Sequence, residues 1–345
     1  MGQMVYNVND AATQVLAAKQ VKENIFVDLV HKNGYGINQV EETNASTVRI
    51  MKVKPFTDSA RELGKSNPNG GWFNNGTIGT PEVDEYDLNL LNVYDMPVDI
   101  PEVEQDMVSV NLMDAATKNI GGRVATEINA STLAAQLAAV YNAADTENAW
   151  TNIAAEIGTG ENATYAAVQA ASVMLDDGDE ANGIQSFPFA ERQLIMRPSF
   201  RASLLNSKGV LLGGSNYAQS MLAKGAVSPE ARKEWGNMYC GEIDGIPCYI
   251  SPAQIWKRAG EWVGSATAFA DTEAVVCAAS ATDRGISTQD YIKIIDAPNG
   301  AGKRLQPKTR WGINVAYAKG IVPIVKNGAN VPSAPLTVKA VGSRG

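Results

Sequence analysis

The side chains that could perform chemistry in this sequence are few and scattered. The three cysteines, Cys240, Cys248 and Cys277, form no CxxC pair and have no neighbouring histidine, so the sequence does not indicate a zinc site. We predict that they are reduced, buried thiols. The single histidine, His31, follows a short apolar run. We interpret it as a solvated or structurally satisfied residue, not as a general base or a metal ligand.

Two polar segments resemble ligand sites but lack the residues that define them. Residues 176–179 (DDGD) look like a cation loop, yet the residues that follow do not match an EF-hand. We predict a solvated turn there. Residues 209–216 (GVLLGGSN) look like a phosphate loop but lack the GxxxxGK[ST] lysine. We therefore predict no catalytic residue, no metal and no cofactor, with a carboxylate-dependent hydrolase as a distant alternative.

The composition is that of a globular chain with an acidic balance. The chain has 345 residues, of which 45% are hydrophobic, and its net charge is −8. This length favours about two domains. An acidic chain is not an obvious nucleic-acid binder, because phosphate contacts need a basic surface. We find neither a signal-peptide pattern nor an apolar run of ~18 residues, so we expect no membrane contact and synthesis in the cytoplasm.

Charge is segregated along the chain. The β-prone segment 80–101 is acidic and contains Glu82, Asp84, Glu85, Asp87, Asp95 and Asp99. No Asp or Glu follows Asp296, whereas this terminal region is basic and includes Lys303, Arg304, Lys308 and Arg310. A charged run is often only a solvated face. The sharper hypothesis is that the acidic strand of one copy contacts the basic region of another, which is a heterologous association that builds rings or shells.

A long helix is predicted over residues 104–141, since Ile120, Val124 and Ile128 recur at helical spacing. It contains no convincing catalyst and is rich in alanine, which suggests a structural beam. The adjacent Gly121 and Gly122 predict a kink in its middle and are our hinge candidates.

A two-stranded extension is predicted before this helix. Its middle, residues 66–76, has the Asn, Pro and Gly content of a loop and contains Trp72 and Phe73. These two aromatic residues either fold back locally or dock on a neighbouring chain, and the sequence leaves both open.

The central part predicts a compact α/β block. It has a short buried strand at 192–196, a helix at 198–205 and a hairpin whose turn is Asp244 and Gly245. The strand candidates after it are 274–278, 292–295, 311–317 and 321–325.

In this order of elements, the chain resembles the major capsid proteins of tailed bacteriophages, which have the HK97-like fold. The most specific segments are residues 194–205 (LIMRPSFRASLL) and 241–251 (GEIDGIPCYIS). They are similar to the family's strand–Pro–helix segment and to its later Gly–hydrophobic–hydrophobic–Gly–hydrophobic–Pro–strand–Ser segment. The resemblance implies an α+β fold with five parts: an N-terminal arm (1–45), an extended β-hairpin or E-loop (46–101), a spine helix of the P-domain (102–149), an α/β A-domain (150–284), and P-domain β-strands with a C-terminal tail (285–345).

The resemblance also implies the function and the partners. A protein of this kind is not an enzyme. It self-assembles into hexamers and pentamers of an icosahedral shell, in the virion, around double-stranded DNA that it does not bind sequence-specifically. Assembly would take place in the host bacterial cytoplasm, with a separate scaffolding protein, a portal and possible decoration proteins as partners. An encapsulin-type bacterial compartment, which shares the fold, is the alternative.

Overall fold

The computed structural model describes the greater part of the chain. The described residues are 38–43, 47–53, 83–95, 97–100, 112–143, 154–160, 162–179, 184–206, 238–287, 292–296, 303–329 and 335–339. Several predictions lie outside them, namely those on His31, Trp72, Phe73, Glu82, residues 209–216 and most of the N-terminal arm.

The described part is an α+β structure with four α-helices and three sheets. The helices are α1 (Leu112–Asn142), α2 (Ala163–Asp176), α3 (Pro198–Leu205) and α4 (Ala253–Trp262). The strands are β1 (Asn38–Thr43), β2 (Thr47–Val53), β3 (Val83–Asn89), β4 (Asn92–Asp95), β5 (Val98–Ile100), β6 (Ala155–Glu156), β7 (Arg192–Met196), β8 (Tyr239–Ile243), β9 (Ile246–Ile250), β10 (Thr272–Ala278), β11 (Thr282–Ser287), β12 (Ile292–Asp296), β13 (Lys303–Val315) and β14 (Ile321–Val325).

Helix α1 confirms the predicted long helix. Its 31 residues span about 46 Å at 1.5 Å per residue. It is buried around most of its circumference, because it lies between two sheets and also packs on α4. Small residues such as Ala125, Ala130 and Ala134 are fully buried and let these neighbours approach its backbone closely. The helix continues through Gly121 and Gly122, whose role as a hinge stays a prediction.

The first sheet joins strands from both ends of the chain. Its order is β1-β11-β13-β12, with β4 and β5 also paired to the long strand β13. β1 is parallel to β11, whereas the other pairings are antiparallel. A separate two-stranded sheet, β2-β3, lies within the predicted extension (46–101), whereas β4 and β5 of the same predicted segment pair with β13 in the first sheet.

The second sheet, of order β6-β14-β10-β7-β9-β8, separates two hydrophobic cores. Alternate side chains of its strands point to opposite faces. Leu194 and Val276 thus lie in the core beneath α2 and α3, whereas Ile195 and Val275 lie in the core with α1 and α4. Because both faces are covered, the central strands contain runs of consecutive apolar residues, such as Leu194 to Met196 in β7 and Ala274 to Ala278 in β10.

Strand β14 lies in the second sheet. It pairs with β10 and β6, which belong to the segment predicted as the A-domain (150–284), and the predicted domain boundaries stay a prediction. All five of its residues are buried. An unbroken apolar run of this kind suits a strand covered on both faces, which the second sheet provides.

The central block matches several local predictions. β7 and α3 have the predicted bounds, and α3 has proline in its first turn. The turn between β8 and β9 places Asp244 at φ 51° and Gly245 at φ 80°. Positive φ at both central residues is the type I′ geometry that Asp-Gly favours. Helix α4, which the sequence analysis did not predict, follows Pro252 and buries Ile255, Trp256, Ala259 and Trp262.

Candidate functional site

The cysteines do not form a reactive site. All three are free and buried, as predicted. Burial raises the pKa of Cys240 and of Cys277 to about 12, and it raises the pKa of Cys248 well above its usual value. Because a thiolate is the reactive form of cysteine, these thiols are unreactive at neutral pH.

The acidic segment 176–179 is only in part the solvated turn that we predicted. Asp176 and Asp177 are exposed, and Asp176, at the end of α2, forms an ion pair with the buried Arg192. Asp179, however, is only 4% exposed, and its carboxylate lies 3.2 Å from the ammonium of Lys319. Its backbone pairs with that of Ile184. The prediction was therefore wrong for Asp179, which has structural partners.

Within the described residues, no group of three or more His, Cys, Asp or Glu side chains could hold a metal ion. None of the described helices combines the length and the apolar character needed to span a bilayer.

The acidic side chains of the β2-β3 hairpin share one basic partner. Asp87 lies opposite Arg49 in the strand register, with 3.3 Å between Nε and Oδ1. A second carboxylate, that of Glu85, lies 3.7 Å from Nη1 of Arg49. All three side chains are more than half exposed. Asp84 also lies on β3, opposite Lys52. Among the described side chains, this face keeps an excess of negative charge that is open to solvent.

The basic strand β13 contacts acidic residues of its own chain. The guanidinium of Arg304 donates two hydrogen bonds to Asp99, at 2.5 and 2.8 Å, and this interaction lowers the pKa of Asp99. Lys303 forms an ion pair with Asp296. In the register of β13 with β4, Lys308 lies opposite Asp95 and Arg310 opposite Val93. The two charged regions thus meet within one chain, and their contact between copies stays a prediction.

The hairpin is attached to the first sheet at a site that we call the hairpin root. Gly285 of β11 and Gly312 of β13 are direct register partners, and both are buried. A Cβ on Gly312 would lie 2.3 Å from the carbonyl oxygen of Asn89, and a Cβ on Gly285 would lie 2.9 Å from Leu90 Cδ2. Glycine is therefore required at both positions, because the chain that follows β3 passes too close to leave room for a side chain.

A polar contact lies beside the two glycines. The hydroxyl of Tyr86 donates a hydrogen bond to the buried carboxylate of Asp283 on β11. Burial and this hydrogen bond raise the pKa of Tyr86. The contact joins β3 to the first sheet, so the hairpin root combines apolar packing with a directed hydrogen bond.

A second polar contact joins α1 to α4. Glu127 is 7% exposed and accepts hydrogen bonds from Arg258 Nε at 2.8 Å, Arg258 Nη2 at 2.6 Å and Trp262 Nε1 at 3.2 Å. The hydrogen bonds that Arg258 donates to Glu127 are the main cause that raises the pKa of Arg258. Arg258 also donates from Nη1 to Glu261 at 2.6 Å. One guanidinium thereby binds one buried and one half-buried carboxylate.

Replacing Glu127 with glutamine should lower the free energy of unfolding by about 1–3 kcal/mol, because an amide donor would face either Arg258 or the indole N–H of Trp262. Thermal unfolding followed by circular dichroism measures this change. Glu261→Gln is the matched control, since its carboxylate contacts the same arginine at the surface, where such a pair is worth about 0–1 kcal/mol. Equal losses in the two variants would contradict the role given to Glu127.

Sequence reasoning missed the hairpin root and the Glu127 contact. The two glycines of the root stand inside strands, where glycine often marks a close backbone approach, and this signal was available. The partners of Glu127 come from a distant helix, and nothing local in the sequence pairs them.

The comparisons with known proteins bear on the fold. No protein-family model matches the chain, and no curated protein matches it in sequence. The chain is similar in structure to the capsid protein of Ralstonia phage GP4, with a TM-score of 0.53, 9% identity, and coverage of 86% of this chain and 89% of that one. It is also similar to the head protein of Helicobacter pylori bacteriophage KHP40, with a TM-score of 0.53, 9% identity, and coverage of 89% and 91%. The capsid protein of cyanophage P-SCSP1u gives a TM-score of 0.50 at 13% identity, covering 86% and 87%.

These likenesses define the fold class of the chain. It is an α+β protein, and its fold is the HK97-like fold that the sequence resemblance implied. Each of the two matches with a TM-score of 0.53 covers at least 86% of both chains, so the likeness concerns the fold of most of the chain and not one local part.

Proposed function

We propose that this chain is the major capsid protein of a tailed bacteriophage. Copies of it associate into hexamers and pentamers, and these form an icosahedral shell around double-stranded DNA. The observation that carries the proposal is the HK97-like fold over almost the full length of the chain, shared with proteins of phage capsids and heads. The described residues support a structural role, because the cysteines are unreactive and the buried carboxylates of Glu127 and Asp179 are bound to cations.

The proposed subunit would assemble in the cytoplasm of the host bacterium with a separate scaffolding protein. It would meet a portal at one vertex, and decoration proteins would bind the outside of the finished shell. The inter-subunit contacts would use the exposed hairpin, with its acidic face and the Trp72 and Phe73 segment, together with the basic residues of β13.

Electron microscopy of the purified protein tests this function directly. Negatively stained samples, with and without a candidate scaffolding protein, should show closed shells of uniform size. A compact monomer under every condition would contradict the proposal. Analysis of what the shells contain distinguishes the proposed function from the alternative. An encapsulin-type compartment would hold a cargo protein, whereas a phage head would hold DNA.

Reversing the acidic face of the hairpin should stop assembly. The double variant Glu85→Lys and Asp87→Lys changes the local charge by +4 at side chains that are half exposed, so the fold of the subunit should survive. One exposed ion pair is worth only about 0–1 kcal/mol, but a shell repeats the contact in every subunit. We expect no particles by electron microscopy and an unfolding temperature close to that of the parent protein.

The control for this variant exchanges the charges without changing their sum. Arg49→Asp combined with Asp87→Arg keeps one ion pair in the hairpin and keeps the excess of negative charge. Shells from this control and none from the reversed variant would support a contact with a second copy. Normal shells from the reversed variant would exclude the acidic face from assembly.

A further inference from the structure

An open groove of about 730 Å³ lies between α1 and α4, and its lining residues, apart from Gly122, have polar or charged side chains. One wall is formed by α1 with Lys118, Asn119 and Arg123, and the other by α4 with Gln254 and Lys257. These five side chains are exposed. We call this surface the basic groove. It differs from the hairpin and from β13, on which the proposed subunit contacts rest.

The acidic residues of the basic groove are already bound. Glu127 and Glu261 also line it, but the guanidinium of Arg258 donates to both carboxylates. Neither Lys118 nor Lys257 has an ion pair with any described residue. The ten lining residues include four basic and two acidic ones, which gives a local charge of 4 − 2 = +2 on a chain whose net charge is −8.

From this surface we infer that the basic groove binds the phosphate backbone of nucleic acid, and this inference rests on the proposed function, in which each subunit encloses DNA. Phosphate oxygens are bound in proteins by Lys and Arg together with Asn, Gln and Thr side chains, and all of these types line the groove. Contacts of this kind are independent of base sequence.

The chemistry of the lining favours nucleic acid over an acidic protein segment. Stable protein–protein contacts centre on aromatic or aliphatic side chains that fill apolar pockets. The basic groove has no such side chain among its lining residues. Protein–DNA interfaces are more polar and more positively charged, and this description fits the groove.

Salt dependence of duplex binding tests the inference. The double variant Lys118→Ala and Lys257→Ala removes the two lysines without an ion pair from exposed helix positions, where substitution changes stability by about 0.5 kcal/mol or less. Short duplex DNA of two unrelated sequences is titrated with the soluble protein between about 50 and 200 mM salt. Each phosphate contact contributes ~0.9 to the slope of log K against log salt, so the slope should fall by about 1.8 for both sequences.

The matched control is the variant Lys319→Ala and Lys326→Ala, which changes the net charge equally but removes lysines that pair with acids elsewhere. Its slope should equal that of the parent protein. Equal slopes in all three proteins, or no duplex binding by the parent protein at low salt, would overturn the inference. Competition by polyglutamate as strong as that of duplex at equal charge would assign the groove to an acidic protein segment instead.

Electron microscopy of the same samples separates this inference from the proposed function. Shells from a groove variant whose duplex binding is unchanged would refute only the basic groove as a DNA contact. Failure of the parent protein to form shells would refute the capsid function, while the soluble protein would still report on duplex binding.

Discussion

Gly312→Ala should lower the free energy of unfolding by about 3 kcal/mol and prevent the formation of regular shells. The new Cβ would lie 2.3 Å from the carbonyl oxygen of Asn89. The clashing atom belongs to the backbone and cannot rotate away, so β13 and the chain after β3 must separate. Overpacking of a buried site costs about 1–3 kcal/mol, and a backbone clash belongs at the upper end. Thermal unfolding and particle counts by electron microscopy measure the two effects.

Two other glycines provide graded controls for this variant. In Gly285→Ala the new Cβ would contact the terminal methyl groups of Leu88 and Leu90. Because these side chains can rotate, the free energy of unfolding should fall by only about 1 kcal/mol. Gly158→Ala meets no atom within 4 Å and should behave like the parent protein. If Gly312→Ala were as stable as Gly158→Ala, then the hairpin root would not depend on close approach to glycine.

Trp311→Ala should have the largest effect on the stability of the subunit, about 3–5 kcal/mol. Trp311 is fully buried on β13, with its ring centroid 6.4 Å from that of Trp262 on α4. Its indole N–H donates to Ser131 of α1 at 2.9 Å. The side chain therefore joins one sheet to two helices, and its removal leaves a cavity where they meet. Denaturant unfolding should show a lower midpoint.

Smaller changes at the same place separate the cavity from the hydrogen bond. Ser131→Ala keeps the ring but leaves the indole N–H without its acceptor, at a cost of about 1–3 kcal/mol. Trp311→Phe keeps most of the apolar area and removes the hydrogen-bond donor. Its free energy of unfolding should therefore lie between those of the parent protein and Trp311→Ala. A loss in Trp311→Ala no greater than that in Ser131→Ala would be inconsistent with packing as the main contribution.

Sequence reasoning was most successful where the signal is local. The helical spacing of Ile120, Val124 and Ile128 located α1, and the Asp244-Gly245 pair located a hairpin turn. Each of these signals lies within a few residues along the chain. The strands β7 and β10 were found because a strand covered on both faces is an apolar run.

The remaining features depend on contacts between distant residues. Glu127 and Arg258 belong to different helices, and Gly285 and Gly312 matter because β3 passes over them. β14 has a sequence suited to either sheet, and only its pairing with β10 and β6 decides its place. The charge pattern was visible in the sequence, but Arg304 meets Asp99 of the same chain, which no count of charges reveals.

The first sheet has a consequence for the order of folding. β1 pairs with β11, and β4 and β5 pair with β13, so strands that are synthesised early can pair only after much later parts of the chain have been made. Sheets with such distant pairings fold slowly, because long loops must close first. Domains otherwise fold from the N-terminus as the ribosome proceeds. An incomplete chain therefore has no β13 to hold its hairpin, and the hairpin takes its fixed position only on a finished subunit.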